Sequence, residues 1–175
     1  MDVTVGSLRE MVSRISHIAA EADVEVSEAS RAGAWHFYHA GIEDRVQIEG
    51  ENLVLSNRER NLPLQDEFIT SELADMEKYL IYHFCSIARP WKGFSRLLVV
   101  PIPLTNDKVA VGYEIKGGPS MFELVSPFSN IRRYASNTEL IKFSHYVNLS
   151  PEELYEACMA PNGKPPFFTQ PPSNR

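Results

Sequence analysis

The sequence predicts an α+β fold: a single domain whose antiparallel sheet is built from sequential hairpins and flanked by about four helices. Three observations predict it. Apolar residues recur at helical spacing in four separate stretches. Between these stretches the period falls to two, in runs divided by tight turn signals. The strands do not alternate regularly with helices, so they pair with sequence neighbours rather than through parallel crossovers. At 175 residues, with 43% hydrophobic and 23% charged, the chain can bury a core without disulfide or metal staples. The domain is predicted to span residues 1–167. Residues 168–175, rich in Pro, Ser and Asn, read as a flexible tail.

The first helix is predicted from a Ser7/Glu10 capping box followed by Leu8, Met11, Val12, Ile15, Ile18 and Ala22 on one stripe. From Val24 the chain alternates through VEVSE, and AWHFYHA places Trp35 and Phe37 on one face with His36 and Tyr38 on the other. VQIEGENLVLS reads as a hairpin turning at Gly50–Asn52. A second helix is predicted from near Ser71, with Leu73, Met76, Leu80, Phe84 and Ile87 in register and Pro90 ending it. RLLVVPIPL reads as a buried strand whose far end leaves the sheet at Pro101 and Pro103. VAVGYEIKGGPSMFELV is the clearest hairpin, with Gly117 and Gly118 expected to supply positive φ at its turn. Ser136 and Glu139 cap a third helix. Ser150, Pro151 and Glu153 start a fourth, with Leu149 stapled onto Leu154.

Charge and motifs exclude several function classes. The net charge of −6 argues against nucleic acid, which selects a basic surface. The mixed stretch ARPWKGFSR, able in principle to stack bases, does not offset the acidic whole. No apolar run is long enough to span a membrane, so no membrane partner is expected. The N-terminus lacks the pattern of a secretory signal, and there are two cysteines, so a reduced cytoplasmic location is expected. Gly117-Gly118 and Gly163-Lys164 fail the phosphate-loop pattern, since neither opens a helix after a strand. His36 and His39 lie three apart on a strand and face opposite sides. With neither HExxH nor CxxC, the sequence predicts no metal centre and no cofactor. Cys85 and Cys158 read as buried helix residues. Glu43–Asp44, Glu49–Glu51 and Asp66–Glu67 read as solvated turns. The residues alone thus favour a binding protein over an enzyme. An adaptor or secretion chaperone, and a small enzyme using Cys85 or His83, remain as alternatives.

One run carries more. LIKFSHYVNLSPEELYEACMAPNGKPPF (Leu140–Phe167) resembles the C-terminal signature of a bacterial immunity-protein family acting against NAD-glycohydrolase toxins. The matching features are Ser144-His145, Leu149-Ser150, and Pro161, Gly163 and Pro165 in a Pro-x-Gly-x-Pro ending. ADMEKYLIYHF resembles the family's middle helix, and RLLVVPIPL with AVGYEI its two following strands. The resemblance covers Trp35 to Phe167. It implies a non-enzymatic antitoxin that binds a cognate NAD-glycohydrolase toxin domain and blocks its NAD-binding site. A dinucleotide cleft is electropositive, so an acidic inhibitor suits it. Plugging such a cleft takes an exposed loop. The candidates are the hairpin tip Lys116, Gly117, Gly118, Pro119 and Ser120, with Asp107, or the loop bearing Trp91 and Lys92.

Overall fold

In the computed structural model, which describes residues 3–29, 33–60, 62–118 and 120–169, the first helix already shows local signals and packing acting together. Helix α1 (Val5–Glu21) buries Leu8, Met11, Val12, Ile15 and Ile18 on the predicted stripe. Its start differs from prediction. Thr4 is the N-cap and Ser7 its N3 partner, each backbone amide donating to the other side chain at 2.9 and 3.1 Å. A second hydroxyl at N3 closes the box as a carboxylate would, so Ser7 lies inside the first turn.

Strands β1 (Glu25–Glu28), β2 (Ala34–His39), β3 (Ile42–Glu49), β4 (Asn52–Glu59) and β5 (Gln65–Thr70) run up and down in sequence order. The chain then leaves through α2 (Leu73–Trp91), a two-residue β6 (Leu97–Leu98) and a 3-10 turn at Asn106–Lys108. It returns as β7 (Glu114–Lys116), β8 (Phe122–Ser126) and β9 (Ser129–Ala135), with β9 pairing against β5. The result is an eight-stranded antiparallel sheet in the order β1-β2-β3-β4-β5-β9-β8-β7. Helices α3 (Asn137–Tyr146) and α4 (Pro151–Met159) follow, and β10 (Phe168–Thr169) pairs with β6 as a separate ribbon. This is the predicted α+β domain, with four helices among the described residues.

Register explains which face is covered. Val46 lies opposite Leu55, and Leu55 opposite Phe68, so their side chains share one face with Phe37 and Leu124. That face meets the helices: Phe37 packs on Phe84 of α2, and Phe68 stacks on Tyr79 at 4.3 Å and touches Phe143 of α3. A bidentate pair from Arg14 to Glu77, both bonds 2.8 Å, joins α1 to α2. Helix α4 starts as predicted, with Ser150 Oγ accepting from the Glu153 amide and Glu153 returning a bond to the Ser150 amide. Its C-terminus is held by Arg89, which is 1% exposed. Arg89 donates to the carbonyls of Ser95, Ala160 and Pro161 at 2.8 Å each, and to that of Cys158. The guanidinium sits where the α4 carbonyls point, the electrically favourable end for a cation.

Several elements differ from the sequence reading. RLLVVPIPL contributes only Leu97-Leu98 as strand, paired to β10 rather than to the main sheet. Proline at 101 and 103 removes the donors a longer ladder needs. Phe168 and Thr169, predicted within the tail, form that pairing; residues 170–175 lie outside the described residues. The β7–β8 hairpin is shorter than its alternating pattern. Val109–Tyr113 stay out of the sheet because Ser144 accepts the Ala110 amide and His145 bonds the Lys108 carbonyl, tying the segment to α3. Gly117 and Gly118 do not take up left-handed φ. At Gly118 the requirement is space: a Cβ there would sit 2.1 Å from the Met121 carbonyl oxygen. Pro90 lies inside the last turn of α2, which closes one residue later. Glu43–Asp44 and Asp66–Glu67 are in strands β3 and β5, not turns.

Candidate functional site

Up-and-down topology gives the sheet two ends. One carries the β3–β4 and β8–β9 turns and the start of α2. The other carries the β2–β3 turn, the β4–β5 loop, the β7–β8 tip and the Ser136 N-cap of α3. Helix α2 reaches this second end at His83, which contacts Asp44 near the start of β3, and Trp91 lies about 12 Å further along its axis.

Most of the predicted site residues lie toward that end but on its two sides, the hairpin tip on the β7 edge and Lys92 beside α1, which leads into the β1 edge. Lys116 closes β7, the edge strand, opposite Glu123, and Lys116, Gly117, Gly118 and Ser120 are all exposed. Pro119 lies outside the described residues. Trp91 is 73% exposed, and Lys92 caps α2 while pairing with Glu21 of α1 at 2.8 Å. Leu62, Leu64, Tyr38 and Phe122 add exposed apolar surface to the same rim. Asp107 is exposed but stands apart. The neighbouring Lys108 carbonyl bonds His145, roughly 13 Å down α3 from its N-cap.

The rim also holds side chains that the sequence did not bring together. Asp44, fully buried on the helix-covered face, receives His39 Nε2 at 3.3 Å and His83 Nε2 at 2.9 Å on one carboxylate oxygen. Asn57 donates to the other oxygen at 2.7 Å. Burial opposes the Asp44 charge, but the histidine and asparagine bonds outweigh it and hold the carboxyl well below the usual range. Burial likewise pulls His83 down, and the Asp44 bond reverses this, leaving its pKa raised. On the opposite sheet face His36 Nδ1 meets Glu43 at 2.6 Å, Arg58 reaches the same carboxylate, and Tyr38 stacks on the His36 ring. For Glu43, too, burial is outweighed by these partners and the pKa is lowered. Tyr38, His39, Glu43, Arg58 and Arg60 border an open cleft of about 690 Å³. The only sequence signal for either cluster was strand alternation, which separates His36 from His39. Their partners come from β3, β4 and α2, so spacing could not reveal them.

A nucleophilic cysteine finds no support in the geometry. Cys85 and Cys158 are both fully buried, and burial pushes the Cys158 thiol far up, away from the reactive thiolate. No helix is long and apolar enough to cross a membrane among the described residues.

Comparison with known proteins places this architecture. A solved structure, Rv3902c from M. tuberculosis, is similar with a TM-score of 0.79 over 90% of this chain and 93% of its own. At 16% identity that likeness speaks for the fold alone. No curated protein matches in sequence. The family model described as Immunity protein 61 matches residues 18–166, which span nearly all of the sheet and all of α2, α3 and α4. The chain belongs to the Immunity protein 61 family.

Proposed function

We propose that the protein is the immunity partner of a secreted NAD-glycohydrolase toxin, binding the toxin domain and blocking its NAD site with the sheet end that carries Lys116–Ser120, Trp91 and Lys92. Family membership carries the reading at its coarse level: an immunity protein acts by binding a protein toxin. The finer reading rests on the sequence resemblance, and three physical features support it. The net charge of −6 favours approach to an electropositive dinucleotide cleft. The rim combines an exposed tryptophan with leucine and tyrosine side chains, the mixture that anchors protein interfaces. A narrow hairpin tip on an edge strand can enter a cleft without unfolding the sheet. Inhibition of this kind is stoichiometric and needs no catalytic group.

Co-expression with an NAD-glycohydrolase toxin domain tests the reading. Preserved cellular NAD and a complex that co-elutes in gel filtration are the expected results. Continued NAD loss with no complex refutes the partner. Replacing Lys116–Ser120 by a plain two-residue turn, and separately Trp91→Ala, tests the surface. Unchanged inhibition in both variants moves the interface elsewhere on the fold.

A further inference from the structure

Two histidines converge on one buried carboxylate oxygen at the rim, from elements far apart in sequence. We propose that His39 Nε2, Asp44 Oδ2 and His83 Nε2 form a binding site for a divalent transition-metal cation, with zinc(II) the best fit. The three ligand atoms lie within 4.8 Å of one another. A tetrahedral zinc with bonds of about 2.0–2.1 Å holds its ligands roughly 3.3 Å apart. Asp44 Oδ2 stands 3.3 Å from His39 Nε2 and 2.9 Å from His83 Nε2, so small side-chain rotations suffice to admit the ion.

The surroundings match a metal site in three further respects. Asn57 Nδ2 donates to Asp44 Oδ1 at 2.7 Å, which orients the carboxylate and turns Oδ2 toward the two imidazoles. The ligands sit on rigid elements: Phe37, two residues before His39, packs on Phe84, next to His83, with centroids 5.2 Å apart. That contact fixes the distance between β2 and α2 at the site. The His39 and His83 side chains retain 10% and 23% exposure, which gives the ion an entry path and leaves a fourth position for water. Two imidazoles with one carboxylate select zinc, cobalt or nickel over magnesium and calcium, which require oxygen ligands. The bound ion staples β2, β3 and α2 together behind the rim. The inference is independent of the toxin's identity.

The test uses the full-length protein, freed of any affinity tag and stripped with chelator. Zn2+ should bind at one equivalent per chain by elemental analysis. A hundredfold excess over the dissociation constant should raise Tm by roughly 5–10 °C, reversibly with EDTA. Co2+ should give the intense visible bands of a tetrahedral site. His39→Ala and His83→Ala should each abolish the Zn2+-dependent rise, while His36→Ala, on the other sheet face, should retain it. If either ligand variant fails to fold, wild-type stoichiometry and the Co2+ spectrum still decide. Folded wild-type protein that binds no stoichiometric Zn2+ overturns the proposal, leaving plain histidine–aspartate hydrogen bonds. Undiminished binding by folded His39→Ala or His83→Ala protein overturns it equally.

Discussion

Replacing Arg89 by methionine should unfasten the C-terminal third of the domain. The side chain is 1% exposed and spends its donors on four carbonyls, those of Ser95, Cys158, Ala160 and Pro161. Each charge-assisted bond contributes about 1.5–3 kcal/mol, but deleting the guanidinium also recovers the several kcal/mol its burial required, so the net loss should be about 3–5 kcal/mol. For a domain of this size that lowers Tm by roughly 6–20 °C. Arg89→Lys should fall between the two, because an ammonium keeps the charge but cannot span four acceptors spread around a planar fork. Thermal melts by circular dichroism give the size of the effect, and hydrogen exchange gives its location. Protection should fall first in α4 and in the turn at Gly163. A methionine variant within about 2 °C of wild type, with α4 protection intact, would show that the four bonds are replaceable by packing and refute the reasoning.

Other perturbations test separate parts of the fold. Ser150→Ala removes the oxygen that accepts the Glu153 amide and should cost about 1 kcal/mol, read from urea midpoints at constant m. Phe68→Ala empties the space between Tyr79 and Phe143, where the ring is fully buried, and should cost about 3–5 kcal/mol in the same titration. Gly118→Ala forces a methyl against the Met121 carbonyl, so the β7–β8 tip must rearrange while the core stays intact. Its expected signature is shifted amide resonances confined to the tip, with Tm lowered by only a few degrees and weaker toxin inhibition. Unshifted tip resonances would contradict the close approach.

What the sequence made legible divides along physical lines. Helix positions were readable because a stripe such as Leu8, Met11, Val12 and Ile15 is a local pattern, and caps such as Ser150/Glu153 act within one turn. The β3–β4 hairpin was equally local, since its two-residue turn fixes the register Glu49↔Asn52. Strands β5 and β9 were missed because their pairing with each other depends on chain brought back from more than sixty positions away. RLLVVPIPL misled for a related reason. Its apolar run reflects burial of Leu97, Val99 and Val100, which a buried loop satisfies as well as a strand. Positive φ was the wrong ground for the glycine at 118, where a carbonyl contact governs.

The candidate site was legible only as separate loops, and the topology explains why they converge. In an up-and-down sheet every second connection emerges at the same end, so the β2–β3, β4–β5 and β7–β8 connections share a rim however far apart they lie in sequence. Helix α2 begins at the opposite end, reaches that rim at His83 and carries Trp91 beyond it by length alone. The rim therefore draws its candidate contact residues from separate stretches of the sequence. The same rule accounts for the buried cluster. Asp44 lies two register steps in from the His39–Ile42 pair that closes the β2–β3 turn, so β2, β4 and α2 each present a polar side chain to it. A charged group at that depth persists only when its partners are rigid. The side chains that satisfy Asp44 therefore also fix the scaffold behind the surface proposed to meet the toxin. Asp44→Asn should on this argument weaken toxin binding by loosening the rim, with a loss of hydrogen-exchange protection at the β2–β3 turn that Trp91→Ala does not produce. Weakened binding with protection unchanged would break the link between the cluster and the rim.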